Sequence, residues 1–110
     1  MWTIIDDSTN TLYVSAVSYW EITLKSNLGK IQLPKTKPAE LFLHATKSGI
    51  LSLDLLSEYA SFDRLPFFEN HKDPFDRMII HQCITKGYIL ISSNRVFEKY
   101  IDSGLVLLHN

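Results

Sequence analysis

The chain has 110 residues, of which 45% are hydrophobic, 21% charged and 12% aromatic, and its formal net charge is -1. So much apolar content with so little charge excludes disorder and predicts one soluble globular domain, because a chain of this length removes roughly two-thirds of its unfolded surface from water. One cysteine, Cys83, excludes an intrachain disulfide and a cysteine-based zinc site, and with no apolar run near the roughly 18 residues of a membrane span and no secretion signal, a reducing cytoplasm without a membrane partner is expected.

Taken in order, Thr11–Ser15 is rich in β-formers and follows the turn-like Asp6–Asn10, which predicts a strand. Val17, Trp20, Leu24 and Leu28 recur at helical spacing up to Gly29, predicting a helix. Pro34 and Pro38 punctuate a loop, and Pro38 to Lys47 reads as a second helix closed by Gly49. Ile50–Leu53 is a short strand, and Leu55–Leu65 a helix stopped at Pro66. Phe67–Lys72 is a polar and aromatic loop. Asp73-Pro74 opens the clearest helix, since Asp caps well and Pro suits the first helical position; Gly87 closes it. Tyr88–Ile91 reads as a strand buried on both faces, Asn94–Tyr100 as a short helix, Gly104 as a turn and Leu105–Leu108 as a last strand. Strands alternating with helices predict an α/β fold, a parallel sheet with helices on both faces.

Two acids stand on the apolar sides of their helices. Measured from Val17 at about 100° per residue, Trp20, Leu24 and Leu28 fall near 300°, 340° and 20°, and Glu21 near 40°, at the border of the stripe. Measured from Phe75, Ile79, Cys83 and Ile80 fall near 40°, 80° and 140°, and Asp76 near 100°, inside the arc. Glu21 follows the strand ending at Ser15, and Asn94 follows the strand ending near Ile91. Ligands of parallel α/β sheets bind beyond the carboxyl ends of strands. Oxygen donors from several elements suit Mg²⁺ or Mn²⁺, and such an ion can activate water against a phosphodiester. Plainer roles stand beside these. Asp76 complements a helix dipole, Asp73 and Asn94 are helix caps, and Glu21 is a stripe-edge residue whose carboxylate reaches water. His44, His71, His81 and His109 show no paired ligand spacing and are taken as structural or exposed. Ser15, Ser18, Ser92 and Ser93 are read as caps or hydrogen-bond donors. Lys25, Lys30, Lys35 and Lys37, with no acid between Glu21 and Glu40, read either as a solvated loop or as a phosphate-tracking edge.

The run Leu12–Ile22 with Lys25, Leu28-Gly29-Lys30 and Pro34 resembles the PIN-domain family, in its VapC-like toxin branch. Asp73-Pro74-Phe75-Asp76-Arg77 with Ile79–Gln82 resembles the second signature of that branch, and Leu90–Asn94 with Phe97 and Tyr100 the third. The resemblance spans about Asn10 to Leu108. It implies a three-layer α/β/α domain and a Mg²⁺- or Mn²⁺-dependent ribonuclease acting on RNA, held in check by an antitoxin protein and often homodimeric. It also implies Glu21 and Asp76 as metal ligands and catalytic residues. Asn94 stands where the family usually has Asp, keeping an oxygen and losing a charge, which implies weaker metal binding. The family's first strand, ending in a catalytic Asp, and most of its first helix have no counterpart. Ile4-Ile5-Asp6 cannot be that strand, because a parallel crossover needs a dozen or more residues. Trp2–Asp6 therefore reads as the end of the first helix of an N-terminally truncated domain. Three functions follow: a toxin endoribonuclease, a catalytically silent PIN remnant that binds an antitoxin or sister subunit, and an α/β domain without metal.

Overall fold

The computed structural model of the chain describes residues 9–33, 35–61 and 65–109, the side chain of His109 excepted. The readings of Trp2–Asp6 and Pro34 fall outside the described residues. The chain divides between Leu55 and Leu56 into two units, and each contains one pair of parallel strands.

In the N-terminal unit, β1 (Tyr13–Ser15) passes directly into α1 (Ala16–Asn27). The junction is set by Ser15, whose hydroxyl accepts the Val17 N–H at 3.1 Å and satisfies one of the unpaired donors of the first turn. Lys25 lies in the last turn of α1, where a cation suits the helix dipole. The second helix, α2 (Pro38–Lys47), begins at a proline whose missing N–H has no partner to lose. The Glu40 carboxylate accepts the Lys37 N–H at 3.2 Å. The Tyr19 and Phe42 rings meet edge to face with centroids 5.8 Å apart, joining α1 to α2. Returning from α2, β2 (Leu51–Leu53) pairs parallel with β1, with Tyr13 opposite Leu51 and Ser15 opposite Leu53.

The C-terminal unit opens with α3 (Ser57–Ala60), much shorter than the helix expected over Leu55–Leu65. Leu56 stands at its N-cap and has no side-chain oxygen to offer the first turn, and residues 62–64 of the expected helix fall outside the described residues. Next, α4 (Pro74–Lys86) starts where the Asp-Pro pair predicts. It ends at Gly87, whose φ of 69° is a left-handed conformation that costs a residue with a Cβ. That turn lets the Tyr88 N–H reach back to the Cys83 carbonyl at 2.9 Å.

β3 (Ile89–Ser92) leads into a 3₁₀ helix (Arg95–Ser103) and then β4 (Val106–His109). The short helix is capped by Asn94, whose side-chain oxygen accepts the Val96 N–H at 3.1 Å. It closes at Gly104, where φ is 105°. Three residues per turn align Phe97 with Tyr100, and both are buried. β3 and β4 pair parallel, Ile89 opposite Val106 and Leu90 opposite Leu107. Leu90 and Leu107 pack on a core of Leu65, Ile80, Cys83, Phe97, Tyr100 and Leu105. The alternate residues point the other way, and Ile89 is 60% exposed. The expectation of a strand buried on both faces is therefore corrected: the face of Leu90 packs on the core, whereas the other face is exposed at Ile89 and only half-buried at Ile91.

The α/β class and the parallel pairing stand as expected, although the described strands form two two-stranded sheets. Among the described residues no helix is long and apolar enough to cross a membrane.

Candidate functional site

Asp73 sets the geometry of the strongest candidate site. Its carboxylate accepts the N–H groups of Phe75 at 2.8 Å and Asp76 at 3.2 Å, which fixes the first turn of α4 and the place of Asp76 within it. The cap role of Asp73 read from the sequence is the observed one. Immediately upstream, the chain folds back in a tight turn in which the His71 N–H donates to the Phe68 carbonyl at 3.0 Å. The turn brings the His71 ring beneath α4. There it lies edge to face with Phe97 at 6.0 Å and with Tyr100 at 5.4 Å between centroids.

His71 is 6% exposed and engages both ring nitrogens. Nε2 lies 3.1 Å from Asp76 Oδ2, and Nδ1 lies 2.7 Å from the Tyr100 hydroxyl. The same hydroxyl receives an N–H of Arg77 at 3.3 Å. Arg77, itself buried, also donates to the carbonyls of Pro66 at 2.8 Å and Leu65 at 3.3 Å. Four polar side chains thus form one connected chain, Asp76–His71–Tyr100–Arg77, against the apolar core of the C-terminal unit. Asp76 is the half-buried end, so its carboxylate sits where the network meets solvent.

Asp76 stands in the first turn of α4, half-buried, and bonds the buried His71 ring, a contact beyond what complementing a helix dipole requires. Asn94 is exposed, and its side-chain oxygen caps the 3₁₀ helix, one of the two roles read for it. Glu21 belongs to the N-terminal unit, in the second turn of α1, and its carboxylate pairs with Lys25 one turn later. That is the favourable order for an i, i+4 pair. Lys30, Lys35 and Lys37 are exposed. Among the described residues no three His, Cys, Asp or Glu side chains gather as a metal-holding group.

His71 has the structural role expected of it, buried and bonded, but its tie to Asp76 was not foreseen, and Arg77 and Tyr100, present in the resembling motifs, were not read as its partners. His44 is exposed and the ring of His81 meets the Tyr59 carbonyl at 3.1 Å, both in keeping with the plain roles expected. His71 differs by touching a carboxylate. Its partners lie 5 and 29 residues away, so no ligand spacing reveals it. The available signal was local: a histidine two residues before a capping Asp-Pro pair, facing the first turn of the helix that follows.

Two further ionisable groups belong to the C-terminal unit, Cys83 within its core and Lys86 at the end of α4. Burial pushes the Cys83 thiol up from 9.0 to about 11, which makes it a poor nucleophile at neutral pH. The Tyr59 and Tyr88 hydroxyls beside Lys86 hold its ammonium above the usual range. Comparison with protein-family models, with curated proteins and with solved structures gives no match.

Proposed function

We propose that the chain is a metal-dependent endoribonuclease of the PIN type, the toxin of a toxin–antitoxin pair, with Glu21 and Asp76 as metal ligands and Asn94 as a weaker oxygen donor. The observation that carries this reading is Asp76. A first-turn acid serving only the helix dipole is best left in water, whereas this one is half-buried and tied to a buried imidazole. Support also comes from connectivity, since α1 with Glu21 leaves the carboxyl end of β1 and Asn94 follows that of β3. The parallel pairing accords with the three-layer α/β/α arrangement that the PIN resemblance implies.

The donor set is all oxygen, and hard donors of this kind suit Mg²⁺ or Mn²⁺ better than softer ions. When bound, the ion lowers the pKa of a coordinated water and stabilises the charge that develops on the phosphate. Asp76 brings an oriented carboxylate to that task, and Lys25 lies against Glu21, where it offsets the charge of the free acid. RNA is the expected substrate, an antitoxin and a second copy the expected partners, and the cytoplasm the expected place of action.

A second reading, a catalytically silent remnant that binds an antitoxin or sister subunit, is favoured by the apolar side chains left exposed on α1, at its C-cap and on α2, among them Trp20, Leu28 and Leu43. The test separates the two. Purified chain is incubated with RNA under Mg²⁺, Mn²⁺ or chelator, alongside Glu21→Gln and Asp76→Asn. The ribonuclease reading expects metal-dependent cleavage that each substitution lowers by at least about a hundredfold, of the order of 3 kcal/mol in the barrier. Cleavage that persists in chelator, or that survives both substitutions, overturns it; absence of cleavage under every condition favours the remnant.

A further inference from the structure

The hydrogen bonds behind Asp76 have only one consistent direction. Tyr100 is fully buried, and among the described residues its hydroxyl meets two groups, an Arg77 N–H and His71 Nδ1. Guanidinium has donors and no acceptor, so the Arg77 bond must end on the phenolic oxygen. The phenolic hydrogen then has one acceptor within reach, His71 Nδ1. A nitrogen that accepts there carries no proton, so the remaining ring proton sits on Nε2 and points to Asp76 Oδ2, 3.1 Å away. The opposite tautomer, or an imidazolium, would place an N–H against the Tyr100 hydroxyl and leave the phenolic hydrogen buried without an acceptor, a loss that interiors rarely tolerate.

We infer that His71 is a positioning residue, locked as the neutral Nε2–H tautomer by Tyr100 and Arg77, and that it fixes the rotation of the Asp76 carboxylate for metal binding; the last clause rests on the function proposed above. No proton is transferred in this arrangement. Arg77 is anchored on the Leu65 and Pro66 carbonyls, Tyr100 on Arg77, and the imidazole on Tyr100. A carboxylate with one oxygen held in this way loses little rotational freedom on taking up an ion. Outer-shell partners of metal ligands typically change metal affinity by roughly 10–100-fold.

The experiment has two arms. In the first, long-range proton–nitrogen NMR spectra of the ¹⁵N-labelled chain at neutral pH read the His71 ring directly, with His71→Gln used for assignment. An unprotonated Nδ1 and a protonated Nε2 are expected; a protonated Nδ1, or protons on both nitrogens, overturns the inference. In the second arm, Mn²⁺ binding is titrated for the natural chain, His71→Phe and His71→Gln. Glutamine carries an amide N–H near the place of Nε2, so it should bind within about threefold of the natural chain, while phenylalanine should bind roughly 10–100-fold more weakly. Folded His71→Phe that binds Mn²⁺ as well as the natural chain overturns the positioning role. A natural chain that takes up no Mn²⁺ while His71 shows the expected tautomer refutes the metal reading of Asp76 and leaves the hydrogen-bond relay standing.

Discussion

The two units handle burial differently. Among the described residues of the N-terminal unit, Val17 is the one buried hydrophobic side chain, and Trp20, Leu24, Leu28, Phe42 and Leu43 are exposed. The C-terminal unit buries Ile80, Phe97, Tyr100 and Leu105 together, and with them His71, Arg77 and Gln82. The lesson is that polar groups enter an interior where enough apolar surface surrounds them and each finds a partner. An oriented carboxylate needs such a support, so the C-terminal unit is where Asp76 can be held.

Substitutions can break this contrast, and the largest effect belongs to the core. Ile80→Ala empties a fully buried position and should cost about 2–5 kcal/mol in urea unfolding, whereas Leu43→Ala, on the exposed side of α2, should stay within about 0.5 kcal/mol. Equal losses would erase the distinction between the units.

Cys83 gives the next effect, as a pH dependence. Its folded pKa of about 11 lies above the ordinary 9.0, so the unfolded chain releases this proton first as pH rises. The associated stability is intact below pH 9 and falls as pH climbs towards 11, by about 3 kcal/mol in all. Comparing urea midpoints at pH 8 and 11 in the natural chain and in Cys83→Ala isolates this part, because the raised Lys86 shifts stability in the same direction in both.

A matched pair of tyrosines sharpens the comparison further. Tyr100→Phe leaves His71 and Arg77 without their shared partner and should cost about 1–3 kcal/mol. The Tyr19 hydroxyl is buried with no hydrogen-bond partner among the described residues, so Tyr19→Phe should be neutral or slightly stabilising in the same assay. Losses at the helix caps should be smaller than the loss at Tyr100. Asp73 serves two N–H groups and Ser15 one, so Asp73→Ala should cost about 1 kcal/mol and Ser15→Ala about half that, both read from thermal melts.

Much of the fold was legible because local chemistry decided it. Asp73-Pro74 and Gly87 bracket α4, and Pro38 opens α2, through interactions within a few residues of each boundary. The expected helix over Leu55–Leu65 had apolar periodicity but no capping side chain at Leu56, and the short α3 took its place. Strand burial was misjudged at Ile89 because an apolar run does not say how many faces will be covered. For the candidate site, the inward arc of α4 pointed to Asp76. What supports it stayed hidden, since Tyr100 reaches His71 only after the 3₁₀ helix has turned back on α4, a tertiary event with no periodic trace.

The two strand pairs differ in how much chain must be gathered before they can zip together. Residues 93–105 separate β3 from β4, and residues 16–50 separate β1 from β2. The longer excursion raises the entropic cost of ring closure by about 1 kcal/mol, and distant partners meet later than near ones. The scaffold under Asp76 is therefore poised to nucleate early during folding, with β1 and β2 joining afterwards.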